Sequence, residues 1–289
     1  MRDENAIVVE AWNTVLFDKF VRFRHVLTTG LSGHSNRMWQ RLPIREGSRV
    51  LDVGCGFGDT TQLIAAATGP KGKVVGVDCA ANFIELASQE ARAAKLEQVS
   101  FLVADAQFEP LGGPYDRVFA RFGTMFFNLP GAGLRNLRRS LVSGGTLSLI
   151  VWRRREDNPW LHAAEQVVRS LVPVVSHEET TEVHCGPGPF AWAGADTVSD
   201  MLVSAGYDQI GFERCDLDIC IGRELDEAVE FAMALGPAGE ILRLAGDEGV
   251  KREAQVFAAL RETLGQFQRA DGSGVWAPSS TWFITARNP

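Results

Sequence analysis

The stretch Val50-Leu51-Asp52-Val53-Gly54-Cys55-Gly56-Phe57-Gly58-Asp59 reads as a buried strand that runs into a glycine-rich turn and then a helix. Glycines at alternate positions let a backbone turn sharply and lie against a ligand where any Cβ would clash. The helix start behind them offers unpaired N–H groups that favour a carboxylate or a phosphate. A purely structural tight turn is the alternative use of the same glycines. A dinucleotide fingerprint wants Gly or Ala three residues after the second glycine, and here that place is held by Asp59. Asp52 and Asp59 would also repel a pyrophosphate, whereas a sulfonium and an α-ammonium group beside them are electrostatically favoured.

Outward from this turn, short β-branched runs alternate with helical stretches: strands are expected at residues 50–53, 74–77, 101–103, 117–120 and 146–151. Such alternation predicts βαβ units and a parallel sheet. The first helix is expected to start at Asp59 or Thr60 and to stop at Gly69, with Pro70 behind it. The next, over residues 81–94, places Phe83, Leu86, Ala87, Ala91 and Ala94 on one side, toward the sheet. Upstream, residues 5–45 space Trp12, Phe17, Phe20, Phe23 and Trp39 as a helical lead-in that should stop at Pro43 and Gly47. Downstream, residues 172–190 read as a long, lid-like loop broken by Gly186, Pro187, Gly188 and Pro189. Beyond it we expect a helix at 197–205, a strand at 209–221, two or three helices at 225–267 and a last strand at 282–286. The divisions among those helices fall at Gly236, Pro237, Gly246 and Gly249, and the last presents Val250, Ala254, Phe257, Leu260, Leu264 and Phe267.

Two further strand-end acids follow the glycine turn in order. Asp78 closes Val74-Val75-Gly76-Val77-Asp78, where a carboxylate can accept from both hydroxyls of a ribose, or alternatively cap the helix behind it. Asp105 closes Phe101-Leu102-Val103-Ala104-Asp105. There it can accept from an exocyclic amine of adenine while the Ala106 N–H donates to a ring nitrogen; a solvated loop acid is the alternative.

With these motifs the chain resembles the class I S-adenosylmethionine (SAM)-dependent methyltransferases, in particular the small-molecule group that includes the ubiquinone and menaquinone biosynthesis methyltransferases. LDVGCGFG matches the family's first motif, VVGVDCA its ribose motif, FLVADAQ its adenine motif and YDRVFARFGTMFF its fourth-strand motif, with LRRSLVSGGTLSLIVW following. The resemblance covers residues 49–152. It implies a doubly wound, Rossmann-like α/β fold whose mostly parallel seven-stranded sheet has its last strand antiparallel. It implies methionine contacts from Gly54, Cys55 and Gly56 with Asp52 nearby, ribose contacts from Asp78, and adenine contacts from Cys79, Asp105 and Ala106. Arg121 would lie beside the methionine moiety. Asn82-Phe83 departs from the family's apolar pair, leaving Phe83 to build the adenine wall.

The chain has 289 residues, 45% hydrophobic and 22% charged, as expected of a globular protein. We read one domain over 1–289: a lead-in (1–45), a SAM-binding core (46–152), and a lid and acceptor region with helical insertion and final strands (153–289). A net charge of −7 argues against nucleic acid. The basic clusters Arg135, Arg138 and Arg139, and Arg153 to Arg155, read as a solvated helix face and a solvated strand end. The N-terminus lacks an apolar run, so neither a signal peptide nor a membrane span is expected, and the cytoplasm is. Five cysteines without a C-x-x-C pair argue for reduced thiols. A monomer or homodimer is expected.

Methyl transfer from a sulfonium is an in-line displacement that needs position and dryness more than a dedicated catalytic residue. For a phenol, hydroxyl or carbon acid a general base would help, and His162 is the candidate, with a capping or exposed histidine as the alternative. Phe122, Phe126, Phe127 and Trp160 are candidate pocket walls or plain core. His25 and His34 sit in the lead-in. His177, His184 and Cys185 have no metal-ligand spacing, and no metal is expected. The apolar content of the variable regions suits a small apolar or aromatic acceptor methylated at O, C or N; a SAM-binding module that transfers no methyl is the alternative.

Overall fold

A computed structural model describes residues 2–173 and 186–289, with side chains from Asn5 onward. Seven strands, β1 (Arg49–Val53), β2 (Lys73–Asp78), β3 (Val99–Val103), β4 (Tyr115–Arg121), β5 (Leu141–Trp152), β6 (Asp208–Gly222) and β7 (Val275–Arg287), form one sheet in the order β3-β2-β1-β4-β5-β7-β6. β1 lies between β2 and β4 in parallel register, Leu51 opposite both Val75 and Val118. Both its faces are covered, which is why Val50, Leu51 and Val53 form a nearly continuous apolar run rather than an alternation. β7 runs antiparallel to β5 and β6 and is the one reversed strand, as the resemblance implies. The strand order switches direction at β1 and β4, which opens a crevice at their carboxyl ends.

The helices are α1 (Arg2–Asn13), α2 (Val15–Arg22), α3 (Ser32–Arg41), α4 (Asp59–Thr68), α5 (Ala81–Ala93), α6 (Pro130–Arg139), α7 (Pro159–Leu171), α8 (Ala195–Ser204), α9 (Leu225–Ala234), α10 (Gly236–Leu244) and α11 (Asp247–Leu264). α4 is capped not by a side chain but by Gly58 in the left-handed region (φ 75°), and it stops at Gly69 as expected. α5 buries Phe83, Ile84, Ala87 and Ala91, so Ile84 takes the place expected of Ala94, which is exposed.

Three other expectations need correction. Gly249 does not divide helices but lies within α11, where a Cβ would come within 2.5 Å of the Leu242 carbonyl oxygen; it lets α10 and α11 approach. α11 buries Val256, Leu260 and Leu264 while Val250 is 70% exposed, because a 3.6-residue period fits two neighbouring stripes equally well. Arg153 and Arg155 are not a solvated strand end. The Arg153 guanidinium sits 4.5 Å from the Trp282 ring centroid, and that of Arg155 reaches Glu165 at 2.7 Å.

The lead-in lies against the carboxyl side of the sheet. Phe17 and Phe20 meet Phe83 edge-on at 5.0 and 5.8 Å, and Trp12 meets Phe126 at 5.1 Å. Such contacts half-bury Trp12, Phe17 and Phe20 of the aromatic stripe that spacing alone marked as helical, while Phe23 is fully buried. Downstream, α7 packs on α10 and α11, making the helical wall that faces the lead-in. No helix among the described residues is long and apolar enough to cross a membrane.

Candidate functional site

The glycine turn is tied to the end of β2: the Gly54 and Cys55 N–H groups donate to the Val77 carbonyl at 2.8 and 3.1 Å. Gly54 has φ 66°, and a Cβ there would stand 2.9 Å from Gly123 Cα, so both conformation and space demand glycine. Gly56 differs. Its φ is 51°, yet a Cβ would meet nothing within 4 Å, because the space beside it is cavity.

The Asp78 carboxylate accepts the Gly56 N–H at Oδ2 and the Ala80 N–H at Oδ1, both at 3.0 Å. The acid therefore fixes the turn and the entry to α5 at once, and burial raises its pKa against the pull of these N–H bonds. Asp105 accepts the Gln107 N–H at 2.9 Å and the Gln107 side-chain amide at 3.2 Å on Oδ1, and Asn5 Nδ2 of α1 on Oδ2. Burial pushes the Cys55 and Cys79 thiols up, which keeps both as neutral thiols. Cys55, Cys79, Cys215 and Cys220 are all free.

Arg121, at the end of β4, is a buried guanidinium that donates to the Thr28 carbonyl at 3.3 Å. Its pKa is lowered by burial, with Asp52 and Asp59 opposing. Asp52 is 1% exposed and takes the Thr61 hydroxyl at 2.7 Å. Desolvation pushes it up to about 7, while the Thr61 hydrogen bond and Arg121 pull it down.

Gly54, Cys55, Gly56, Asp78, Cys79, Asp105, Ala106 and Arg121 all stand in the wall of one cavity of about 980 Å³. Asp52 does not; it lies behind the turn. Phe122, Phe126, Phe127 and Trp160 line the same cavity, as do Phe83 and part of the lead-in, but His162 is not in its wall. Of the glycine- and proline-broken loop, residues 186–190 line the cavity, while His177, His184, Cys185 and Val174 lie outside the described residues. His34 is a structural group: its ring nitrogens meet Ser279 and Thr281 hydroxyls at 2.9 and 3.0 Å, and burial lowers it to about 4. Among the described residues no three His, Cys, Asp or Glu side chains are grouped to hold a metal ion.

Sequence reasoning missed three contributors. Asn5 links α1 to Asp105 and, through Oδ1, to Gln107 and Asn128. Arg24 bridges Asp59 at 3.0 Å and Glu90 at 2.6 Å and lies 4.6 Å above the Phe57 ring centroid. Glu165 is 1% exposed in the cavity wall. Only the last left a signal: it interrupts the buried stripe Trp160, Leu161, Ala164, Val168 of α7 with a charge.

Residues 50–145 match the methyltransferase domain family. The ubiquinone/menaquinone biosynthesis C-methyltransferase of Pseudomonas aeruginosa is 27% identical over 193 residues, covering 63% of this chain and 75% of that protein. The demethylmenaquinone methyltransferase of Bacillus cereus is 32% identical over 138 residues, 45% and 57% of the two chains. A solved structure from Bacillus halodurans superposes with a TM-score of 0.56 at 17% identity, covering 88% of this chain and 98% of that one. The phosphoethanolamine N-methyltransferase 2 of Haemonchus contortus, solved with SAM, gives 0.51 at 16% identity, covering 90% and 53%.

The fold, and the domain over residues 50–145, are those of a SAM-dependent methyltransferase. Within that class it resembles the ubiquinone and menaquinone C-methyltransferases.

Proposed function

We propose that the cavity holds SAM against the glycine turn and a small, largely apolar or aromatic acceptor against the aromatic wall of the lead-in, α7 and α9. One observation carries this reading: a single cavity of about 980 Å³ is walled both by the three strand-end motifs and by Trp12, Phe126, Trp160 and Phe231. That volume is at the upper end of small-molecule sites, enough for a cofactor and a second molecule together. Gly56 leaves room for the methionine part. Asp78 is held by two backbone N–H bonds with lone pairs left for ribose hydroxyls. Asp105, Ala106 and Cys79 stand at the adenine position, and Arg121 completes the inner wall.

When bound, SAM supplies an electrophilic methyl on a positively charged sulfur. The chain's part is to exclude water with the lead-in and to hold the acceptor in line. His162 stands outside the wall, and no role in the transfer is proposed for it. The lead-in, core and acceptor region act as one unit over residues 1–289. The test is incubation with labelled SAM and a panel of phenols, quinols, amines and carboxylates, with S-adenosylhomocysteine as the readout. Turnover confined to hydrophilic amines or to macromolecules would overturn the acceptor assignment.

A further inference from the structure

The charges in the cavity wall are sorted by end. Asp59, Asp78 and Asp105 stand with Arg121 around the glycine turn, where the sulfonium is assigned. On the wall of α7 and α10 the balance reverses. Glu240 there is taken up by Arg243 through two contacts of 2.9 Å, and Glu165, 1% exposed, is shared by two arginines. Glu165 Oε1 accepts from Arg155 Nη1 at 2.7 Å and from Arg169 Nε at 2.8 Å. Both guanidinium groups thus crowd one oxygen, and a single carboxylate offsets only one of their two charges. Among the described residues no other acid pairs with either arginine. Both side chains line the cavity and remain 38% and 43% exposed, so N–H donors of each fork are left for a second anion.

We propose that Arg155 and Arg169, clamped by Glu165, anchor the acceptor by a carboxylate, and that the acceptor is an aromatic or apolar monoanion. This rests on the acceptor reading above and adds the group by which the acceptor is recognised. A planar guanidinium fork matches the two oxygens of a carboxylate. The surplus of one positive charge fits a monoanion and repels an ammonium, while a dianionic phosphate would be opposed by Glu165. Apolar surface adjoins the cluster. Phe190 has its ring centroid 5.4 Å from the Arg155 guanidinium, and Trp160 stacks on Phe231 at 5.8 Å in the same cavity. Beside such rings a charged hydrogen bond is less screened than in water. The two arginines are positioning residues: they hold the acceptor by its carboxylate, whichever of its atoms receives the methyl.

The probes are 2-naphthoate, its neutral amide 2-naphthamide, 2-naphthylmethylamine and 2-naphthyl phosphate, titrated calorimetrically near neutral pH into the protein saturated with S-adenosylhomocysteine. The carboxylate is expected to bind at least about tenfold tighter than the amide of the same shape, the scale of one hydrogen bond between charged groups, and the amine to bind weakest. Arg169→Gln, which leaves a neutral Arg155–Glu165 pair, should abolish the preference for carboxylate over amide. Arg169→Lys keeps the charge without the fork and should restore part of it. Equal affinity of the native protein for carboxylate and amide overturns the anchor and leaves the apolar chamber intact, as does a full preference retained by Arg169→Gln. Phosphate binding more tightly than carboxylate overturns the assignment of a single charge. Failure of all four probes to bind overturns the chamber with the anchor.

Discussion

Replacing Gly56 by alanine separates binding from folding at the glycine turn. The residue sits at φ 51°, where a Cβ costs about 1–2 kcal/mol. No atom lies within 4 Å of that Cβ, so no clash is added to the strain. In a domain of this size the expected loss is a few degrees of Tm, at roughly 2–4 °C per kcal/mol. The added methyl projects into the cavity, where the methionine part of SAM is assigned. Overfilling a close-packed site costs about 1–3 kcal/mol, so Kd for SAM should rise about tenfold or more. Gly54→Ala is the contrast: its Cβ would meet Gly123 Cα at 2.9 Å, and the backbone of the loop after β4 must move, so it should melt far earlier. Thermal denaturation followed by circular dichroism, with calorimetric titration of SAM, reads both quantities. A folded Gly56→Ala protein that binds SAM with native affinity would refute the placement of the cofactor at this turn.

Three other substitutions test the remaining geometry. Asp78→Asn should weaken SAM binding about tenfold in calorimetry, a neutral amide being a poorer acceptor for ribose hydroxyls; unchanged affinity would remove the ribose role. Asp52 is pushed up to about 7 from 3.8, so the folded state holds its proton more tightly than the unfolded one. Native stability should therefore fall as pH rises between those values, and Asp52→Asn should match the native protein near pH 4 but exceed it above pH 7, by up to about 4 kcal/mol in denaturant melts. A constant difference across that range would show that Asp52 is ionised in the fold. Gly249→Ala, whose Cβ would stand 2.5 Å from the Leu242 carbonyl oxygen, should cost about 1–3 kcal/mol by wedging α10 from α11, and a Tm equal to the native one would contradict that packing.

The core from β1 to β5 was legible because its signals are local. An apolar run ends in a glycine turn at β1 and in an acid at β2 and just after β3, and parallel strands then bring those ends to one crevice whatever the rest of the chain does. Hence Gly54, Asp78, Asp105 and Arg121 fall in one cavity wall, although they are spread over 68 residues of sequence. The later helices were less legible. Val250 fits an apolar stripe as well as Val256 does, and only packing against α7, α9 and α10 decides between them. His162 drew notice as a residue type, but one position on a helix turns a side chain by about 100°. Asn5 and Arg24 carry no pattern at all, since their partners Asp105, Asp59 and Glu90 are 35–100 residues away.

The lead-in touches both parts of the cavity. Asn5 holds Asp105 and Arg24 holds Asp59, while Lys19 donates to the Ala234 carbonyl at the end of α9 at 3.0 Å. With the two guests placed as proposed, a segment seated on both their surroundings would make their binding free energies interdependent. Whatever factor by which the cofactor, in settling these helices, strengthens the hold on the acceptor, the acceptor returns to the cofactor in equal measure. Affinities measured for either guest alone then understate the affinity of the pair, and the discrepancy is a direct measure of how much of the seating each guest had to do by itself.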